Sequence, residues 1–291
     1  AVVAGSRVVG GSYGPVRVPS SVVALRSVVA LRSAVPGAWC DPVVSPDMPS
    51  IAALFVVAGA LFVGSALNAL VGFGFALITV PVMALAVGPK EAVVLSALLG
   101  LASNSGVSLR HRHEVQRRLV GRLIVGSIVG MPIGLAVLVV VPEQWIGIGI
   151  AVVVLVAVGL IATGRQVESV PPWADVVAGL ISGVLNTSVG VSGPPVVMSL
   201  HGHGLGKAPF RATASAVFGL AGIVAIGLFV LSGRVSPTLL LTALLALPAW
   251  PMGWWAGDRL HRRVDEQRFR ALVLWMLTAT AVVSLMGALR S

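Results

Sequence analysis

From Ile51 onward the chain runs as long apolar stretches separated by short polar punctuation, without the two-residue alternation of a membrane barrel. The first stretch, 51–87, is longer than the about 20 residues that one bilayer crossing needs. It carries its own interruption, SALNALVGFGF, with Asn68, Gly72 and Gly74. The pattern therefore predicts a helix a over 51–70 and a short helix b over 75–87, stopped by Gly88-Pro89-Lys90. Segment c follows over 91–109, then the loop RHRHEVQRR, segment d over 119–141 with a kink at Met131-Pro132, the loop PEQW, and segment e over 146–163. After a polar linker, 164–175, five segments return: a′ over 176–189, b′ over 194–200, c′ over 210–231, d′ over 238–256 and e′ over 269–289.

The landmarks of the second set repeat those of the first. Asn186 and Gly190 stand 118 residues after Asn68 and Gly72, the tripeptide at Gly219 stands 119 after that at Gly100, and Gly253 stands 119 after Gly134. An internal duplication accounts for this spacing. The expected organisation is a first membrane repeat, 48–163, the linker, and a second repeat, 176–291. Residues 1–47 differ in kind, with Arg among Gly, Ser, Val and Pro and the direct repeat SVVALRSVVALRS. They are expected to be a disordered extension or not normally translated, since Met48, the first methionine, immediately precedes the first strong span.

Composition agrees with the pattern. With 57% hydrophobic residues, 10% charged residues and a mean hydropathy of +0.99, the expected fold is an all-α polytopic membrane protein of about eight to ten segments. The net charge of +10 does not point to nucleic acid, because the arginines sit in short loops between apolar runs, as cytoplasmic loops require. A single cysteine, Cys40, excludes an internal disulfide framework. If the basic loops after c and after d′ share the cytoplasmic side, the crossings between them must be even in number. The pair a′/b′ then crosses twice or dips and returns. Each repeat holds an odd number of crossings, so the repeats are expected to be inverted.

The interruption in the second repeat, NTSVGVSGPP, carries the candidate chemistry. Broken backbone at membrane depth must be buried in protein or line a wet cavity. Helix amino-termini exposed there carry partial positive charge and free N–H donors, which favour an anion. Asn68, Asn186, Thr187, Ser188 and Ser192 add neutral polar side chains, while Gly72, Gly74, Gly190 and Gly193 let backbone approach a small ligand. Beyond the break, His201, His203 and Lys207 are candidates for the inner mouth, and Arg211 for gathering anions there. The histidines lack the cysteine or carboxylate partners of a metal set, and no cofactor motif is present. No Asp or Glu falls in the middle of an expected span, which disfavours a carboxylate proton relay. A membrane-embedded enzyme, the lesser alternative to a transporter, would need a nucleophile, metal or acid–base pair facing the cavity, and none is evident in the sequence.

GLISGVLNTSVGVSGPPVV followed by FRAT, together with VGFGFALITVPVMAL in the first half, resembles the TauE/SafE family of sulfite and organosulfonate exporters. The resemblance spans about 51–289. It implies a multi-pass plasma-membrane transporter of small sulfur-containing anions, with motif positions at Gly72, Gly74, Pro81, Gly190, Gly193, Pro194, Pro195 and Arg211. Ser192 departs from it, standing where such a run commonly has glycine. The resulting expectation is export of sulfite or an organosulfonate, driven by membrane potential. An ion-coupled importer of such anions, thiosulfate included, is the alternative, and the sequence leaves the oligomeric state open, a homo-oligomer included.

Overall fold

The computed structural model of the chain describes residues 50–110, 112–163 and 171–261. The amino-terminal extension, most of the linker and segment e′ lie outside the described residues. Ten α-helices follow in order: α1 Ile51–Val71, α2 Phe75–Val87, α3 Pro89–Arg110, α4 Arg117–Val140, α5 Glu143–Thr163, α6 Pro172–Ser188, α7 Gly193–Gly202, α8 Lys207–Leu231, α9 Pro237–Ala246 and α10 Ala249–His261. Among the described residues α1, α4, α5 and α8 are each long and apolar enough to cross a membrane.

The short elements are short for local reasons. Ser50 opens α1, its Oγ accepting from the Ala53 N–H at 3.2 Å, and Gly72 closes it in a left-handed conformation at φ 85°. Gly74, at φ 100°, starts α2, and Gly88, at φ 95°, ends it. At about 1.5 Å per residue, the 13-residue α2 and the 10-residue α7 reach roughly 20 and 15 Å, well short of a hydrocarbon core of about 30 Å. The linker is shorter than its polarity suggests: α6 begins at Pro172, so Asp175 belongs to a helix.

Segment d′ was expected as one run over 238–256, and it is two helices. α9 and α10 meet at a 40° bend across Leu247 and Pro248. Proline has no N–H and its ring meets the preceding turn, so α9 stops there. Pro251 sits in the first turn of α10, where the missing donor is harmless. α4 runs unbroken through Pro132.

The duplication read from spacing recurs in the backbone. Phe75 and Gly193 open α2 and α7, Pro89 and Lys207 open α3 and α8, and each pair is 118 residues apart. The packing repeats too, and it crosses between the halves. α4 of the first half lies on α6 of the second, α10 of the second lies on α1 of the first, and α3 meets α8 between them. Both crossed seams are made by glycine. A Cβ at Gly126, Gly130 or Gly134 would run into the backbone of Val176, Leu180 or Val184, and one at Gly179 or Gly183 into that of Leu123 or Ser127. Gly253 and Gly257 meet Phe62 and Ala66 of α1 in the same way. Such close approach supplies dispersion contacts where lipid gives no hydrophobic drive between helices. The outer face of α4, with Val125, Val129 and Ile133, is exposed apolar surface suited to lipid.

These seams predict a sharp contrast between glycines. Gly130→Val has no room without shifting α6, and it should lower stability by about 1–3 kcal/mol or prevent assembly. Gly159→Ala, in open space on α5, should leave stability unchanged or raise it by up to about 1 kcal/mol. Thermal unfolding of the purified variants in detergent measures both.

Candidate functional site

The two interruptions come together. A cavity of about 50 Å³, enough for roughly three or four waters or one small polyatomic ion, lies where the starts of α2 and α7 meet α3 and α8. Gly74, Phe75, Ala76 and Leu77 reach it from α2, and Val191, Ser192 and Gly193 from α7. Neither helix start has a side-chain cap. Their first-turn N–H groups have no partner within the helix, and the helix dipole adds positive potential at each start. The two ends are not equal, since Pro194 and Pro195 remove two donors from α7.

Polar side chains surround these ends, and no charged residue lines the cavity. Asn68 and Asn186, the pair from the duplicated motif, both line it, with Ser96 and Asn104 of α3. The buried amides are oriented by their own network. Asn104 Nδ2 donates to the Gly100 carbonyl at 2.8 Å, so its Oδ1 faces Asn68 and accepts from Asn68 Nδ2 at 3.2 Å. Asn68 Nδ2 also donates to Ser103 Oγ at 2.9 Å, leaving Asn68 Oδ1 buried without a partner. Both Asn68 N–H groups are thus used within the network, and the unpaired oxygen calls for a donor, such as water, and not for an anion.

Of the residues expected at the site, Asn68, Gly74, Asn186, Gly190, Ser192 and Gly193 line the cavity. The others lie elsewhere, for reasons visible in their contacts. Thr187 donates to the Met131 carbonyl at 2.7 Å across the α4–α6 seam, and Ser188 to its own helix at Val184. Pro194 shapes the start of α7. Gly72 and Arg211 form a pair outside the lining: the glycine lies against the Arg211 backbone, and the guanidinium donates to the Ala69 carbonyl in the last turn of α1. Arg211 thus satisfies a helix carboxyl-terminus. His201 stacks at a tilt on Phe210, ring centres 4.9 Å apart, Lys207 is exposed at the start of α8, and His203 contacts Asp175.

The backbone crossing at Gly72 is itself duplicated. A Cβ on Gly72 would lie 2.8 Å from the Arg211 Cα, and one on Gly190 would lie 3.4 Å from the Val93 Cα, with the partner positions again 118 apart. Sequence reasoning missed the α3 and α8 contributions, Ser96, Gly100, Asn104, Phe218 and Gly222. Asn104 in the middle of an apolar run was the available signal. It also left Asp175 in the linker.

Two neighbouring glycines should respond differently. Gly74→Ala meets only the left-handed backbone penalty of about 1–2 kcal/mol, because the space beside it is open. Gly72→Ala adds overlap with the Arg211 backbone and should be the more destabilising of the two, as the fraction of folded protein recovered from membranes will report.

No curated protein and no solved structure matches the chain. A family model described as Sulfite exporter TauE/SafE matches residues 56–284, a stretch that includes every element of the site. With both interruptions and both seams inside that match, the chain belongs to the sulfite exporter TauE/SafE family.

Proposed function

We propose that this membrane transporter carries a small sulfur-containing anion, sulfite or an organosulfonate, out of the cytoplasm through the cavity between α2 and α7. The observation that carries the reading is the meeting of two uncapped helix starts in a cavity with polar but uncharged walls. Neutral N–H donors and helix dipoles stabilise an anion without trapping it as a buried lysine or arginine would. Asn186 and Ser192 supply further polar contacts, Asn68 holds Asn104 in place through its own N–H groups, and the glycines at 74, 190 and 193 leave the backbone accessible. The two halves act as inverted repeats about the α3–α8 contact, alternately opening the cavity to each side.

Charge supplies the direction. With the cell interior negative, one negative charge leaving gains about 2.3 kcal/mol per 100 mV, close to a fiftyfold concentration ratio at equilibrium. Because the walls carry no charge, the anion alone bears the electrical work of the step.

Proteoliposomes holding an imposed potential test this reading with sulfite and simple sulfonates. Saturable, potential-driven flux is expected, falling at least tenfold in Asn186→Ala, a loss of about 1.4 kcal/mol or more in the transition state. Equal flux in Asn186→Ala and wild type would remove the cavity from the path, and no flux of any sulfur anion by folded protein would remove the substrate assignment.

A further inference from the structure

Asp175 stands in the first turn of α6, and its side chain has no solvent exposure. Oδ1 accepts from Ser199 Oγ at 2.8 Å and pairs with His203 Nε2 at 2.9 Å, and Oδ2 accepts from Arg122 Nη1 at 3.3 Å. One carboxylate thus joins α4, α6, α7 and the turn that follows α7. The His203 side chain is 27% exposed, so water reaches its ring.

The first half has no counterpart of this cluster. The positions 118 residues earlier are Val57, Pro81 and Leu85, and Val57 is fully buried. The first half therefore fills the carboxylate's place with a buried valine, while Leu85 is exposed. Replacing buried charge by well-packed apolar groups is commonly neutral or stabilising, so folding alone does not call for the carboxylate. Its position suggests the use: α7 carries the latch at one end and Gly193, on the cavity wall, at the other, about 15 Å apart.

We propose that Asp175 and His203 form a proton-binding site that latches α7, so that proton uptake slows movement of the helix that lines the cavity. With Nε2 engaged by Asp175, the proton enters at His203 Nδ1 from solvent. The product is an imidazolium, and the hydrogen bond to Asp175 becomes charge-assisted and stronger. The other charged or titratable groups on the elements packed about α6 include Arg117, Arg118 and Arg122 of α4, His201 of α7, and Lys207 and Arg211 of α8. The arginines and lysine keep their charge through neutral pH, whereas a histidine changes its charge between about pH 5 and 8. By linkage, a proton that closes the latch makes acid favour the latched state and alkali release it.

The proton site is tested without substrate and then with it. Amide hydrogen exchange over 193–206 in lipid nanodiscs, corrected for intrinsic rates, should quicken severalfold from about pH 5.5 to about pH 8. His203→Gln keeps a donor but does not titrate, and it should flatten the profile. Asp175→Val with His203→Leu copies the first half; it should fold and give the same flat profile. Flux of methanesulfonate, whose charge is constant over this range, should rise with pH in wild type and not in His203→Gln; this arm alone rests on the transport reading. A flat wild-type exchange profile, or a wild-type profile in His203→Gln, overturns the proton site. Methanesulfonate left untransported while exchange follows the expected pattern supports the proton site and counts against the transport reading.

Discussion

Every peptide group at membrane depth needs a hydrogen-bond partner, and a chain that breaks two of its helices there must find partners for both broken ends. The carboxyl-terminal sides of the breaks are closed internally. Gly72 N–H bonds to the Asn68 carbonyl, Val189 N–H to that of Leu185, and Arg211 takes the carbonyl of Ala69. The amino-terminal sides have no side-chain cap. Backbone acceptors at the two breaks are thus consumed while donors at the helix starts are left over, the imbalance on which the proposed anion binding rests.

Most of the architecture was legible because hydropathy, glycine and proline act locally. Phe75–Val87 was read at its observed bounds, since Gly74 and Gly88 both take conformations that favour glycine. The bend at Pro248 was not legible, because Pro248 and Pro251 stand in one apolar run and only the backbone decides which of them ends a helix. Half the cavity wall was legible through Asn68 and Asn186. The α3 and α8 walls were not, because which face of an apolar helix meets a break is decided by tertiary packing. Asp175 shows the same limit: a polar stretch reads as linker until a histidine and a serine from later in the chain are seen to close over it.

The frame is symmetric and its contents are not. Phe75 and Phe218 line the cavity, while the positions 118 residues away from them are Gly193 and Gly100, which line it too. Each half contributes an aromatic ring where the other contributes no side chain. The prolines of α7 remove donors from its start, so more N–H groups are available on the α2 side. A scaffold with matching landmarks in its two halves thereby encloses a cavity whose two ends differ.

The crossed glycine seams also say what kind of object a half of this protein is. α4 finds its backbone-close partner in the other half, and so does α1. Neither half buries its own glycine stripe. A half-length chain folded this way could bury its stripe only against a second copy, each lending its fourth segment to its neighbour, so in this protein the covalent link between the halves makes intramolecular what would otherwise be an intersubunit contact.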